Sequence, residues 1–147
     1  MVSRWAEAVK PRVGRRAREW IVLALGSNLG DREGSLARAR RELSLAGVPW
    51  ALASRVIETV PVGGPAGQPK YLNQVLAAAV EALALPPYQL LAVCQRIERQ
   101  EGPRSEVRWG PRRLDIDIVL LGDELIREPE LVIPHPRLHQ RAFVLEP

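Results

Sequence analysis

Two aspartates, Asp115 and Asp117, stand two residues apart in an otherwise aliphatic run that ends at Leu121. The run alternates with the period of two that predicts a β-strand, which puts both carboxylates on one face, about 6–7 Å apart along the strand. Adjacent carboxylates repel each other, and each prefers water or a cation. A divalent metal resolves this conflict, and Mg²⁺ is the leading candidate because it shares its shell with water and substrate phosphates. From the pair alone, a solvated edge strand with two outward aspartates is an equally good interpretation.

Arginines are concentrated just upstream of this strand: Arg104, Arg108, Arg112 and Arg113. Cations beside a carboxylate pair fit a polyphosphate site, with metal on one side and guanidinium on the other. The arginines could instead be ion-pair partners of the aspartates, but their number and their position in a loop favour the first interpretation. Trp109 has little core to join in this loop of glycine, proline and arginine, which favours stacking on a planar ring.

Further residues could contact a ligand, although each also has a structural interpretation. His135 is flanked by prolines and could donate to a phosphate or make a structural hydrogen bond. Tyr71 and Asn73 share a face of a predicted strand, and an aromatic beside an amide suits a heteroaromatic ring as well as it suits a packed ring and a satisfied turn amide. The chain has neither the G-x-x-x-x-G-K-[ST] phosphate loop nor the Rossmann G-x-G-x-x-G pattern. One cysteine and two histidines argue against zinc.

Hydrophobic periodicity predicts the elements that position these side chains. A buried strand at 21–25 is followed by a helix at 32–46, which Asp31 can cap. Strands are predicted at 50–60 and 71–82, and a second helix at 87–100. The helical stripes are Leu36, Ala39, Leu43 and Ala46 in the first helix, and Leu90, Leu91, Cys94 and Ile97 in the second.

With the aspartate strand, the order β-α-β-β-α-β predicts an α+β fold, the ferredoxin-like plait. This is an antiparallel sheet with both helices packed on one face. The aspartates should then lie on the exposed face or at its rim. The side chains of Gln95 and Glu98 should point along the sheet surface. The irregular loops 61–69 and 102–111 are of a kind that often closes over ligands.

Length and composition indicate one soluble domain. The 147 residues are 46% hydrophobic and 26% charged, as in soluble globular proteins. No apolar run could span a bilayer, no signal-peptide core is present, and the single Cys94 permits no intrachain disulfide. We therefore expect a cytoplasmic protein without a membrane partner.

The basic charge is confined to one end of the chain. Residues 1–19 carry six basic and two acidic groups, whereas the rest carries fifteen of each sign. The predicted organisation is a basic N-terminal extension at 1–19, accessory or disordered, followed by a single domain at 20–147. Because the body is neutral, the sequence pI near 10.0 does not indicate a nucleic-acid partner.

Six motifs in order resemble the 6-hydroxymethyl-7,8-dihydropterin pyrophosphokinase family of folate biosynthesis, over about residues 20–147. They are A-L-G-S-N-L-G-D from Ala24, Y-L-N from Tyr71, Q-R-I-E from Gln95, R-W-G-P-R from Arg108, L-D-I-D-I from Leu114, and P-H-P-R-L-H-Q-R-A-F from Pro134. The arginine–tryptophan block joined to the aspartate pair is the most specific of these.

The resemblance implies transfer of the β,γ-diphosphate of ATP to the pterin hydroxymethyl oxygen, with release of AMP. It implies two Mg²⁺ ions held by Asp115 and Asp117, and a catalytic set of Arg104, Arg112, Asp115 and Asp117. It implies an ATP site lined by Gln95, Glu98, Arg108, Trp109, Arg112, Ile118, His135 and Arg141. It implies a pterin pocket lined by Thr59, Val60, Val62, Tyr71, Asn73, Trp109 and Phe143, with Tyr71 and Phe143 sandwiching the ring. The loops 61–70 and 102–111 correspond to lids over the substrates.

The chain departs from the family pattern at three places. The family usually has arginines directly after the glycine at 102 and two residues later, but this chain has Pro103 and Ser105 there, with Arg104 between. We therefore predict that Arg104 closes on the phosphates. The arm 1–19 has no recognised counterpart, and relatives commonly continue past the position of Pro147.

Two other functional classes are alternatives to this enzyme. An RNA-binding plait needs aromatics on its central strands, but the chain has one phenylalanine and two tyrosines. A non-catalytic, metal-dependent module is the third class. The favoured interpretation is a monomeric enzyme whose partners are small molecules, ATP and the hydroxymethyl dihydropterin, with no nucleic acid.

Overall fold

A five-stranded antiparallel sheet with two helices is the frame of the protein. The computed structural model describes residues 19–61, 63–103, 106–107 and 110–136. In chain order the elements are β1 (Trp20–Ser27), α1 (Arg32–Leu45), β2 (Leu52–Ala53), β3 (Ile57–Thr59), β4 (Tyr71–Ala79), α2 (Pro87–Glu101), β5 (Asp115–Leu121), β6 (Ile126–Glu128) and β7 (Leu131–Ile133). A short 3₁₀ turn, Val80–Ala82, follows β4.

The sheet order places the two long strands at its centre. The order is β2–β4–β1–β5, β3 also pairs with β4, and every pair in this sheet is antiparallel. Strands β6 and β7 form a separate two-stranded sheet. In both β1 and β4 seven residues are buried, so the centre of the sheet is covered on both faces.

The two helices pack on the same face of the sheet. Alternate residues of β1, namely Ile21, Leu23 and Leu25, belong to a core cluster that both helices join. The helical members of that cluster are Leu36, Ala39, Leu43, Leu90, Cys94 and Ile97. The other alternate residues of β1, Val22 and Ala24, join a smaller cluster on the opposite face, with Val75 and Val119. We call this second face the open face, because neither helix packs on it.

Local signals explain where each helix begins. The Asp31 carboxylate accepts a hydrogen bond from the backbone N–H of Gly34 at 3.1 Å, which caps α1 as predicted. In α2 the proline Pro87 stands in the first turn, where its missing N–H is not needed. A two-point ion pair joins the helices, since Arg38 Nε and Nη2 donate to the Glu101 carboxylate at 2.6 and 3.1 Å.

The prediction of one strand at 50–60 is wrong, because this stretch contains two short strands, β2 and β3. They are separated by residues 54–56, beginning at Ser54. The backbone N–H of Val75 donates to the Ser54 hydroxyl at 2.9 Å, so a side chain replaces a carbonyl in the ladder and interrupts it. The strand predicted at 71–82 ends at Ala79.

The side chains of β5 do not alternate between the two faces of the sheet along its whole length, as the period of two predicts. The pairing of β1 with β5 shifts register between Val22 and Leu23, which adds one residue to β5 near Val119. As a result Leu121 joins the helix-side core, whereas Leu120 packs against the cluster on the open face. The shift lies beyond Asp117, so the two aspartates keep the predicted common face. The short strands β6 and β7 were not predicted.

The structure tests little of the predicted N-terminal extension. Apart from Glu19, the extension predicted at 1–19 lies outside the described residues. None of the helices in the described ranges is long and apolar enough to cross a membrane.

Candidate active site

Asp115 and Asp117 lie on the open face, at the edge strand β5. Asp117 pairs with Ala24 and Asp115 with Gly26, both of which belong to the β1 face that points away from the helices. Each aspartate side chain is 28% exposed, so a ligand can reach it. The predicted common face and accessibility of the pair are therefore confirmed.

Each carboxylate has a basic side chain beside it. Arg112 Nη1 donates to Asp115 Oδ1 at 2.8 Å, and His135 Nε2 lies 3.8 Å from Asp117 Oδ2. The ion-pair interpretation of the arginines is thus realised for Arg112. The backbone N–H of His135 donates to the carbonyl of Val119 at 2.9 Å, which holds the histidine beside β5.

These groups bear on which metal could bind. Among the described residues no group of three or more His, Cys, Asp or Glu side chains could hold a metal ion. Structural zinc and protein-bound calcium need more protein ligands than two carboxylates. Mg²⁺ is commonly bound by one or two carboxylates together with water and substrate phosphates, so the donor set fits Mg²⁺ that arrives with a nucleotide.

Tyr71 and Asn73 lie on the same face, in β4. Asn73 pairs with Gly26, which in turn pairs with Asp115, so only a glycine separates the amide from the carboxylate across the sheet. Two strand spacings put these residues about 10 Å apart. A Cβ at position 26 would lie 3.4 Å from Tyr71 Cδ1 and 3.6 Å from Asn73 Oδ1, so the tyrosine ring covers the glycine.

Asn73 is 3% exposed and is oriented by the neighbouring strand. Its Nδ2 donates to Thr59 Oγ1 at 2.7 Å and to the carbonyl of Ile57 at 3.3 Å. The amide nitrogen is therefore engaged by β3, whereas Oδ1 lies toward Gly26 and can accept a hydrogen bond from a ligand. Val60, the next predicted pocket residue, is 70% exposed.

A cavity of about 210 Å³ lies between the end of α2 and the start of β5. Its lining is Gln95, Glu98, Arg99, Gly102, Pro103, Arg112, Arg113 and Leu114. Three of the predicted ATP-site residues, Gln95, Glu98 and Arg112, meet here. Three guanidinium groups against one carboxylate make this an environment for an anion.

Sequence reasoning did not assign Arg99 to a site, and it placed Arg113 only among the arginines of a polyphosphate site, without a partner. Arg113 crosses two glycines with positive φ, and a Cβ would lie 2.7 Å from its Nη1 at Gly30 and 2.6 Å from its Cδ at Gly102. The sequence shows only part of this arrangement, because the two glycines can be read from it but the residue that passes over them cannot. Gly26 lies one residue beyond the strand predicted at 21–25, although it belongs to β1 between the two halves of the site.

One predicted ATP-site residue faces the other way. Ile118 pairs with Leu23 and its side chain is 5% exposed in the helix-side core. A ligand on the open face could reach it only through its backbone. Six predicted site residues lie outside the described residues: Val62, Arg104, Arg108, Trp109, Arg141 and Phe143.

Comparison with known proteins relates this geometry to a family. A family model described as 7,8-dihydro-6-hydroxymethylpterin-pyrophosphokinase matches residues 22–147. The chain is similar to the 2-amino-4-hydroxy-6-hydroxymethyldihydropteridine pyrophosphokinase of Bacillus subtilis, at 44% identity over 85% of this chain and 73% of the relative. It is also similar to the protein of that name from Haemophilus influenzae, at 40% identity over 85% of this chain and 76% of the relative. A mitochondrial folate synthesis bifunctional protein of Arabidopsis thaliana is 41% identical over 86% of this chain and 22% of the relative. The chain therefore belongs to the 7,8-dihydro-6-hydroxymethylpterin-pyrophosphokinase family.

Proposed function

We propose that diphosphate transfer takes place on the open face, between β4 and β5. As a member of this family, the chain transfers diphosphate from ATP to 6-hydroxymethyl-7,8-dihydropterin in folate biosynthesis. One observation carries the placement: Tyr71 and Asn73 share a sheet face with Asp115 and Asp117, and Gly26 separates the two pairs. A heteroaromatic ring on β4 would thus be held within reach of phosphates on β5.

The fold that we propose is the ferredoxin-like plait. Four observations support it: the strand order, the antiparallel pairing, the two helices on one face, and the order of elements along the chain if β2 and β3 count as one interrupted strand. In this arrangement the helices occupy one face, which leaves the other for substrates.

The reaction requires alignment and neutralisation of charge more than covalent help from the protein. The pterin hydroxymethyl oxygen attacks the β-phosphorus of ATP, the bond from that phosphorus to the α,β-bridging oxygen breaks, and AMP leaves. We assign Asp115 and Asp117 to two Mg²⁺ ions, which when bound neutralise the phosphate oxygens and orient the chain of phosphates. Asp115 accepts the hydroxyl proton, directly or through water.

The cations near the aspartates bind phosphate. Arg112 pairs with Asp115 here, and we assign it to exchange that carboxylate for a phosphate oxygen when the nucleotide binds. His135 donates to phosphate from beside Asp117. Gln95, Glu98 and the backbone of Ile118 complete the described part of the ATP site. Arg104, Arg108, Trp109 and Arg141 keep their predicted roles there.

The pterin pocket is built on β4. Asn73 Oδ1 accepts from the ring edge, Thr59 keeps the amide in that orientation, and the ring stacks on Tyr71. Val60, Val62, Trp109 and Phe143 are the remaining proposed contacts, with Phe143 on the opposite side of the ring from Tyr71. The loops 61–70 and 102–111 close over the two substrates. A monomeric state and a cytoplasmic location stay predictions from the sequence.

The decisive assay measures which nucleotide is released. Incubation with Mg²⁺, ATP and the hydroxymethyl dihydropterin should yield AMP and the pterin diphosphate in equal amounts, and AMP should not form when the pterin is omitted. Formation of ADP would contradict diphosphate transfer. Salt-sensitive RNA binding without metal would favour a nucleic-acid module, and pterin binding without turnover would favour a non-catalytic one.

A further inference from the structure

Asn28 is a buried side chain that hydrogen-bonds to two separate loops. It directly follows β1 and is 1% exposed. On one side its Oδ1 accepts from the backbone N–H of Arg112 at 2.7 Å, and the backbone N–H of Asn28 donates to the Arg112 carbonyl at 3.0 Å. On the other side its Nδ2 donates to the Pro69 carbonyl at 3.2 Å and to Gln68 Oε1 at 3.3 Å.

Each of these loops leads directly to one half of the site. Pro69 is two residues before Tyr71, and Gln68 also holds its own loop together, because its Nε2 donates to the carbonyls of Gly63 and Pro65 at 3.4 and 3.3 Å. On the other side, Arg112 carries the guanidinium that pairs with Asp115. A single amide thus lies between the strand that holds the proposed pterin pocket and the arginine that faces the metal carboxylates.

We propose that Asn28 is a positioning residue that couples the loop before β4 to the segment before β5, so that pterin and phosphates are aligned for transfer. This inference rests on the proposed function. The coupling follows from the chemistry of the amide, which accepts from one segment and donates to the other. Because the side chain is buried, water cannot readily replace a lost bond, and each unsatisfied backbone group is costly.

No other small side chain reproduces both links. Alanine removes both. Aspartate keeps an acceptor for the Arg112 N–H but has no donor, and its charge would face two oxygens, those of Pro69 and Gln68. Asn28→Asp therefore breaks mainly the link toward β4. Asn28→Ala also removes the acceptor of the Arg112 N–H, and leaves only the bond from the backbone N–H of residue 28 to the Arg112 carbonyl.

The alternative is that Asn28 only satisfies the turn between β1 and α1. A purely structural residue would change the fraction of folded protein without separating the kinetic constants of the two substrates. Gln74→Ala is a matched control, because Gln74 is also a buried amide, 7% exposed, but lies on the helix side, where it accepts from Arg40 Nη1 at 2.7 Å and donates to the Ser54 carbonyl at 2.8 Å.

The kinetic test compares Asn28→Ala, Asn28→Asp, Gln68→Ala and Gln74→Ala, each corrected for folded protein. We expect Asn28→Asp and Gln68→Ala to raise KM for the pterin severalfold with little change in KM for ATP. We expect Asn28→Ala to lower kcat as well, by about tenfold or more, because Arg112 loses its alignment. If Asn28→Ala behaves like Gln74→Ala, or if the two KM values shift together, the inference is wrong.

Hydrogen exchange separates this inference from the proposed function. Gln68 and Arg112 both hydrogen-bond to the Asn28 side chain, so coupling through Asn28 predicts faster exchange of the Arg112 amide in Gln68→Ala and unchanged exchange in Gln74→Ala. This readout needs no turnover, and it stays available if the Asn28 variants fail to fold. Unchanged exchange of Arg112 in Gln68→Ala would overturn the coupling even in a fully active enzyme. Absence of AMP release by the unaltered protein would instead overturn the proposed function.

Discussion

The carboxylate of Asp115 has two competing cations, the guanidinium of Arg112 and the proposed metal ions. The Asp115→Asn substitution removes a charge that both cations need, and Asp117→Asn removes the second carboxylate that we assign to the metal ions. We expect either variant to lower kcat by about 10²-fold or more, because charge stabilisation in the transition state is lost. The fold should be retained, since the Arg112–Asp115 pair is partly exposed and such pairs contribute little to stability.

Calorimetry with a non-hydrolysable ATP analogue, with and without Mg²⁺, measures how much metal-dependent nucleotide binding each variant has lost. Asp123→Asn is the control, because Asp123 is an exposed carboxylate two residues beyond the end of β5. That variant should bind the analogue normally. Near-normal turnover by Asp115→Asn would exclude an essential role of this carboxylate as a metal ligand or a base.

Cys94 offers a second residue-scale prediction, because burial raises the pKa of its thiol to about 12, with smaller contributions from Glu98 and Asp117. In the native protein at pH 8 the thiol should not react with an aromatic disulfide reagent, and one thiol per chain should react after denaturation. The folded pKa lies above the unfolded value of 9.0, so the neutral thiol stabilises the fold fully below that pH. The contribution is then lost as the pH rises from 9 toward 12.

Comparison with Cys94→Ala isolates this effect from the titration of other groups. Between pH 9 and 11 the free energy of unfolding of the unaltered protein should fall more steeply than that of the variant, by at most about 1.4 kcal/mol per pH unit. Equal slopes, or rapid modification of the native thiol, would contradict the assigned burial.

The residues that sequence could place are those whose geometry is local. The spacing of Asp115 and Asp117 determines their common face, because side chains alternate along any strand. The partners of Asn28 and Arg113 could not be predicted, because they are remote in sequence: Asn28 reaches Arg112, and Arg113 passes over Gly30. Nothing in a local pattern predicts such contacts.

At the scale of elements, Gly26 lets the Tyr71 ring lie over β1 between β4 and β5. A methyl group there would lie 3.4 Å from the Tyr71 ring, a tight contact that the sheet can accept. We expect Gly26→Ala to fold with a change in the free energy of unfolding within about 1 kcal/mol, since glycine is itself unfavourable in strands. KM for the pterin should rise about tenfold with little change for ATP, because the methyl group would press on the Tyr71 ring and on Asn73 Oδ1, which we propose contact the pterin.

Gly47→Ala is the matched glycine control with the opposite expected result. Gly47 follows α1 with φ +94°, and an added Cβ would meet nothing within 4 Å. This variant should lose about 1–2 kcal/mol from backbone strain while both KM values are unchanged. If Gly26→Ala also left the pterin KM unchanged, the ring would not lie on that part of the sheet.

The elements were predictable where hydrophobic periodicity was continuous, as in α1, α2 and β1. The prediction failed where one side chain altered the ladder. Ser54 substitutes its hydroxyl for a backbone acceptor and divides the predicted strand, and a register shift near Val119 reverses the alternation in the second half of β5. Both are tertiary effects, because each depends on which strand lies opposite.

At the scale of the molecule, charge and function are separated along the sequence. The net charge of the chain is +4, and residues 1–19 account for all of it. The cavity beside β5 nevertheless carries three arginines and one glutamate, so the local excess of positive charge at the site arises from placement within a neutral body. Binding of an anionic nucleotide therefore does not require the basic extension.

This separation predicts that deletion of residues 1–18 leaves catalysis intact. β1 begins at Trp20, which pairs with Ala79 and whose carbonyl accepts from the Gly122 N–H at 2.9 Å, so the described partners of the first residue of β1 all lie beyond the deleted segment. The family match begins at residue 22.

We expect kcat and both KM values to change less than about twofold at 0.15 M salt, where charges more than about 8 Å apart are largely screened. Retention on a polyanionic resin should fall, because the deleted segment carries six basic groups against one acidic group, which is more than the net charge of +4 of the whole chain. AMP release should be measured at 0.02 and 0.5 M salt as well. A loss of ATP affinity that is large at low salt and disappears at high salt would contradict the separation, because it would show that the extension supplies charge to the phosphate site.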